Sequence, residues 1–213
     1  MNENKIGTII VDTAFYMQYF DDEQAIAAIT EAGRRLYMRG MVAANDGNIS
    51  CLVSKDQFWI TASGVSKGFL QPENMVKLNL AGEIIAGKAP SSETALHIAI
   101  YKANNDIGGI VHAHPPYATA FALTGIPLIN PELDEARIAL GDVPLAAYAP
   151  PGSLELADNA ASFAKDHHAV LLPRHGAVAW GVDIWQGLWR MENLEQYAKI
   201  LAISKNLTNN LWD

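Results

Sequence analysis

His112 and His114 stand two apart in "GGIVHAHPPYATAF", after the apolar pair Ile110 and Val111 and before Pro115 and Pro116. Alternate side chains on an extended strand leave the same face, so two imidazoles at this spacing can share one divalent ion. The pair alone serves a solvated strand face equally well, and a metal site needs a third and a fourth ligand. His175 is the candidate third, because in "LLPRHGAVAWG" an Arg-His-Gly step interrupts an apolar run at a strand end, a costly place for a polar residue without a task. Glu93 in "PSSETALH" is the candidate fourth. It falls in the first turn of an expected helix, where a carboxylate is favoured by the dipole and by free N–H groups, though an acid that only caps the helix would sit there too. His97, one turn further on, is flanked by Ala95, Leu96, Ile98 and Ala99 and reads as a hydrogen-bonded, half-buried histidine. His167 and His168 in "KDHHAV" read as surface residues.

Three further segments could hold an anion. "DGNIS" offers Asn48 on a glycine-loosened turn, "TASG" offers Thr61, Ser63 and Gly64 at a strand end, and "PSSE" offers Ser91 and Ser92 at a helix N-terminus. Helix dipole and unpaired backbone donors stabilise phosphate at such a terminus. Each segment alone has ordinary turn composition; together they describe an anion cradle beside a metal.

The elements that would position these groups follow from periodicity. Residues 22–39 place Ile26, Ile29, Ala32, Leu36 and Tyr37 on one helical face, and Gly40 stops the pattern. Strand-and-turn signals follow, with turn residues at Asn45 to Asn48, at Ser54 to Asp56 and at Ala81-Gly82. A helix is expected from Ser91 to about Lys102, then a strand carrying the two histidines, a helix opened by the double proline, and a helix over "SLELADNAASFAKD". Two short strands around His175 and a long closing helix complete the chain. Hairpins in the first half, without a strict βαβ repeat, indicate an α/β chain of the α+β type with an antiparallel or mixed sheet covered by helices.

At 213 residues with no repeat and no linker, the chain reads as one domain over 1–213. A formal charge of −8 with no basic stripe argues against a nucleic-acid partner. No run approaches the roughly 20 apolar residues that span a bilayer, and Cys51, the single cysteine, fits a small buried residue in a reducing compartment. The expectation is a cytoplasmic protein.

With "GNIS", "TASG", "PSSE", "HAHPPYATA" and "RHGAVAWG" in this order, the chain resembles the class II aldolase/adducin family over residues 24–205. The resemblance implies a central, mostly antiparallel sheet flanked by helices, assembled as a homotetramer with active sites at subunit interfaces. It implies that His112, His114 and His175 hold a divalent metal, zinc with manganese or cobalt as alternatives, and that Glu93 both approaches the metal and serves as base. Asn48, Ser63, Gly64, Ser91 and Ser92 match the phosphate-binding positions. The activity implied is cleavage of a ketose 1-phosphate, such as fuculose 1-phosphate or a deoxypentulose 1-phosphate, to dihydroxyacetone phosphate and an aldehyde through a metal-stabilised enediolate. A pentulose-phosphate 4-epimerase, a decarboxylase or dehydratase, and a metal-free adducin-like scaffold are the alternatives.

The match departs from the family in two places. Residues 1–21 form an extension without a counterpart, and 206–213 read as a flexible tail. Where fuculose-phosphate aldolases place a proton-donating tyrosine after "IP", this chain has Pro131. Other members carry a glutamate a fixed distance before "LG-x-VP"; Glu135 fits that spacing and Glu132 is the alternative, while a solvated loop suits both acids as well. Tyr117 resembles a position near the metal, with packing as its other reading. Trp180, Trp185 and Trp189 suit core or subunit interface.

Overall fold

The computed structural model describes residues 19–210. The expected N-terminal extension therefore lies, up to residue 18, outside the described residues, as do 211–213 of the expected tail. Helix α1 (Asp22–Met38) opens on a capping box: the Asp21 carboxylate accepts the Gln24 N–H at 2.7 Å, and the Gln24 side chain accepts the Asp21 N–H at 3.1 Å. Its buried stripe is Ala25, Ala28, Ile29, Ala32, Gly33 and Leu36. The expected Tyr37 is 39% exposed and packs edge-on against Phe69. Small residues won the stripe because the helix lies tight on the turn at Lys67–Phe69; a Cβ on Gly33 would come within 2.5 Å of the Lys67 carbonyl oxygen.

Seven strands follow among the described residues: β1 (Asn48–Leu52), β2 (Gln57–Thr61), β3 (Met75–Asn79), β4 (Ile84–Ala86), β5 (Gly109–Ala113), β6 (Ala169–Leu172) and β7 (Gly176–Gly181). They form one sheet in the order β4-β3-β2-β1-β5-β7-β6, with every neighbouring pair antiparallel. The fold is thus a single α+β domain around an antiparallel sheet. Asn48, expected in a turn, is the first residue of β1.

Helices cover both faces. Ile49, Cys51, Val111, Ala113, Leu171 and Ala177 pack with α1, α3 (Pro116–Thr124) and α6 (Ile184–Asn210). Phe58, Ile60, Ile110, Val170, Val178 and Trp180 pack on the other side with α2 (Thr94–Ala103) and α5 (Leu154–Ala161). The histidine strand β5 lies between β1 and β7 in the sheet interior, so its side chains are buried on both faces. Helix α4 (Asp134–Ala139) was not foreseen, since six residues are too few to establish a helical period. Helix α6 carries residues 206–210, so this part of the expected tail is helical. Trp180 is buried, Trp185 is half-buried in the core, and Trp189 is 45% exposed. Among the described residues no helix is long and apolar enough to cross a membrane.

Candidate metal centre and anion cavity

Register sets the first candidate ligand. His112 on β5 lies opposite Asn48 on β1 and Val178 on β7, and it is fully buried. Its Nδ1–H donates to the Ala177 carbonyl at 2.9 Å. That bond fixes the tautomer and leaves the Nε2 lone pair facing the site. His114 follows the strand, with its N–H donating to the Met41 carbonyl at 3.0 Å. Pro115 and Pro116 then turn the chain into α3, which has no side-chain cap of its own; the Glu195 carboxylate from α6 accepts the N–H groups of Tyr117 and Ala118 at 3.0 Å instead. His114 is therefore held between a strand end and a helix start anchored from across the core.

His175 comes from the turn between β6 and β7. Gly176 beside it is required by packing: a Cβ there would stand 2.5 Å from the Ala113 carbonyl oxygen and 2.7 Å from His114 Cδ2. The three rings meet edge to edge, with centroids 4.6 to 5.1 Å apart, and one nitrogen from each falls within 4.8 Å of the others. Glu93 closes the group, with Oε2 3.1 Å from His112 Nε2 and Oε1 3.4 Å from His175 Nε2.

Glu93 is the N-cap residue of α2 rather than part of its first turn, because the helix begins three residues later than expected. The Ser91 hydroxyl accepts the Glu93 N–H at 3.2 Å, and the Thr94 hydroxyl donates to the Ser91 carbonyl at 2.7 Å. This local turn absorbs the residues that would have made the first helical turn, and it points the carboxylate at the histidines.

The donor set fits a divalent cation. His112 Nε2 and His114 Nε2 are 3.3 Å apart, and among the described residues no hydrogen-bond donor reaches the buried Glu93 Oε1; a carboxylate oxygen of this kind among convergent ring nitrogens suits a cation. Burial works against the Glu93 charge, but the His112 and His175 rings and the Asn48 amide outweigh it and hold the carboxyl well below its usual range. Burial and then the charge of His112 push His175 down to about 4, and burial lowers His114 as well. For His112 burial acts downward too, yet the Glu93 carboxylate wins and raises it. Neutral imidazoles with an ionised carboxylate are the forms that bind a metal.

A cavity of about 240 Å³ opens beside this group. Glu93, His114 and His175 form one wall, and Ser63, Gly64, Ser91 and Ser92 form another, with Asn48 between them. The structure thus brings nine of the ten predicted site residues together, counting His112 buried behind the wall. Glu135 is the tenth, and it lines a separate cleft between α4 and α6 with Asn193 and Gln196. Glu132 is exposed and lines neither. Thr61 is absent from the cavity because its buried hydroxyl accepts the Ile49 N–H at 3.3 Å. Tyr117 packs half-buried against the core beneath Lys199. His167 Nδ1–H donates to the Asp142 carbonyl at 3.1 Å, and His168 is exposed; both stand outside the cavity.

His97 is hydrogen-bonded as expected, to Asn48 and Ser50, but it is fully buried rather than half-buried. Two charged residues that line the cavity were missed altogether. Lys67 is 2% exposed, and its ammonium donates to the carbonyls of Asn45 at 2.7 Å and Val65 at 2.8 Å. Burial lowers it to about 8, against the pull of Asp46 and Glu93, so it remains largely a cation at neutral pH beside the serine wall. Its signal was a lone lysine between Val65 and Phe69. Asp46, with Oδ2 3.4 Å from His114 Nδ1, is the carboxylate that orients that ring; its signal was only its place two residues before Asn48.

Comparison with known proteins places the chain in a family. The profile of the family described as Class II Aldolase and Adducin N-terminal domain matches residues 27–202. An L-fuculose phosphate aldolase of Methanococcus maripaludis is 36% identical over 176 residues, covering 82% of this chain and 94% of that protein. A 3-oxo-tetronate 4-phosphate decarboxylase of Pectobacterium atrosepticum is 32% identical over 186 residues, covering 85% of each. Among solved structures, the l-fuculose-1-phosphate aldolase of Thermus thermophilus superposes with a TM-score of 0.80 at 31% identity, covering 87% of this chain and 96% of that one.

Proposed function

The chain belongs to the class II aldolase and adducin family and is an enzyme of the lyase class, and from that premise we propose that it cleaves a ketose 1-phosphate to dihydroxyacetone phosphate and an aldehyde. The carrying observation is the convergence of three imidazoles and an ionised, partly orphaned carboxylate on the wall of a polar cavity. At about 240 Å³ that cavity is smaller than the roughly 300–1,000 Å³ of clefts for drug-sized ligands, which suits a small sugar phosphate.

In this reading His112, His114, His175 and Glu93 hold one divalent ion, zinc first and manganese or cobalt next, since three imidazoles and a carboxylate suit several first-row ions. Bound there, the ion supplies Lewis-acid stabilisation of negative charge on the substrate's carbonyl and neighbouring hydroxyl oxygens. Ser63, Gly64, Ser91 and Ser92 hold the phosphate, with the Lys67 cation beside them, and so fix the reacting carbon against Glu93. In the condensation direction Glu93 takes a proton from the hydroxymethyl carbon of dihydroxyacetone phosphate, and in cleavage it returns one there. The new hydroxyl on the aldehyde carbon needs its own proton donor. Glu135 stands away from the cavity of its own chain, so it serves only across an interface of the proposed homotetramer. Ile126, Ile129 and Ile138, all exposed around α4, are the apolar surface such an interface would cover.

A second reading is favoured by that same separation. Decarboxylation of a 3-oxo acid phosphate breaks the bond to the carboxyl carbon, leaves the electron pair as the enediolate of dihydroxyacetone phosphate and releases CO2 without a proton donor; the carbon that lost CO2 then takes one proton, passed from solvent through Glu93. A cavity with one base and no second acid suffices for it. Incubation with L-fuculose 1-phosphate and with 3-oxo-tetronate 4-phosphate separates the readings. Dihydroxyacetone phosphate and an aldehyde from the first substrate are expected; CO2 release from the second alone would make the chain a decarboxylase, and accumulation of a C4 epimer would make it an epimerase. Metal analysis of the purified protein should find about one divalent ion per chain, lost in His112→Ala and His175→Ala. A parent protein with no such ion would return the chain to a scaffold role.

A further inference from the structure

Beneath the cavity runs a chain of hydrogen bonds that no step above uses. The Tyr101 hydroxyl lies 2.8 Å from Ser50 Oγ, Ser50 Oγ lies 2.6 Å from His97 Nδ1, His97 Nε2 lies 2.5 Å from Asn48 Oδ1, and Asn48 Nδ2 donates to Glu93 Oε2 at 2.9 Å. Tyr101, Ser50, His97 and Asn48 are at most 3% exposed, so no water replaces a lost partner and every bond must run one way.

The direction follows from a single charge. An ionised Glu93 only accepts, so Asn48 must turn its NH2 toward it and its Oδ1 toward His97. Oδ1 only accepts, so His97 carries its proton on Nε2. Nδ1 then holds a lone pair and accepts a hydrogen bond from the Ser50 hydroxyl, and Ser50 in turn accepts from Tyr101. The opposite tautomer of His97 would flip Asn48 and set its carbonyl oxygen against the Glu93 carboxylate, two acceptors facing each other in a dry site. Burial keeps His97 neutral, at about 3, as the arrangement requires.

We infer that His97 is a positioning residue: through its Nε2–H it locks the Asn48 amide so that Glu93 Oε2 is held and Oε1 alone is left toward the reaction. Asn48 thereby has a task beside the phosphate role its place in the sequence implies. One Nδ2 hydrogen serves Glu93, and its Oδ1 is committed to His97. Glu93 and His97, a helical turn apart on α2, act on each other through a residue of β1. The inference rests on the reading of Glu93 as the base.

Two measurements test it. Nitrogen-15 NMR of the His97 ring in the metal-loaded wild-type protein at neutral pH should show a protonated Nε2 and an unprotonated Nδ1; an Nδ1–H tautomer or an imidazolium overturns the inference. The second follows exchange of the hydroxymethyl hydrogens of dihydroxyacetone phosphate with deuterium from D2O. His97→Leu should lower the turnover number for exchange by roughly 10- to 100-fold, the range of a hydrogen bond to a charged group, with KM and bound metal unchanged. His97→Gln, whose amide can donate to Asn48 and accept from Ser50, should recover to within a fewfold of wild type. Equal losses in both variants, or a change in KM alone, would show a merely structural residue. If the wild-type protein does not exchange dihydroxyacetone phosphate at all, the reading of Glu93 fails while the ring tautomer still decides whether His97 orients Asn48.

Discussion

Glu93 and Glu135 occupy similar places in the chain, each at the start of a helix a few residues after a proline, and the tertiary structure treats them in opposite ways. Glu93 is 7% exposed, meets two imidazoles and an amide, and keeps one oxygen without a partner. Glu135 is exposed, on a six-residue helix facing a different cleft. A carboxylate becomes a base through what is packed around it. In the proposed reaction the first acid has its reactive oxygen chosen for it by neighbours, while the second has a function only if another copy of the chain supplies the surroundings.

The largest expected effect tests the first half of that contrast. Glu93→Gln should slow deuterium exchange into dihydroxyacetone phosphate by roughly 100- to 10,000-fold, the range general acid–base groups supply; retention of more than a tenth of the rate would remove Glu93 from the chemistry. Glu135→Gln comes next. It should lower aldol cleavage by about 100-fold while leaving both the exchange reaction and metal content unchanged, because exchange forms no aldehyde hydroxyl. Unchanged cleavage would move the proton to Glu132 or make decarboxylation the reaction.

The smallest effect concerns what it costs to surround Glu93 with buried groups. His97 titrates at about 3 in the folded chain against 6.5 for a free imidazole. Between those values the unfolded chain binds a proton that the folded chain does not, so stability rises with pH across the window and is lost as pH falls from about 6.5. The urea midpoint should accordingly fall between pH 7 and pH 5, and the fall should be shallower in His97→Gln. Glu135→Gln should leave that slope as it is; a changed slope would mean that α4 is tied to the buried network after all.

Much of this was legible in the chain because the signals are local. The strand pair around His175, the Ala81-Gly82 turn and the long closing helix follow from period and turn chemistry, and all are present. Helix α4 is too short to carry a period. The start of α2 was misplaced because the Ser91 hydroxyl and carbonyl hold Glu93 and Thr94 in a turn before the helix begins. Tyr37 was expected on the apolar face with Ile26, which packs half-buried against the core, whereas close packing against the Lys67 turn put Ala and Gly on the buried stripe of α1.

By itself the sequence determined the residue types of the site and their order: histidines two apart at the end of a strand, a third beside a glycine, an acid after two serines, and hydroxyls at turns. Only the tertiary structure decided that Asn48 bridges Glu93 to His97, that Lys67 is a buried cation held by two carbonyls, and that Glu135 lies elsewhere. The reason is physical. Partners such as Asn48 and Glu93, 45 residues apart, meet only because an antiparallel register and a helix packed on one sheet face place them together, and no local pattern encodes which buried donor will find which acceptor.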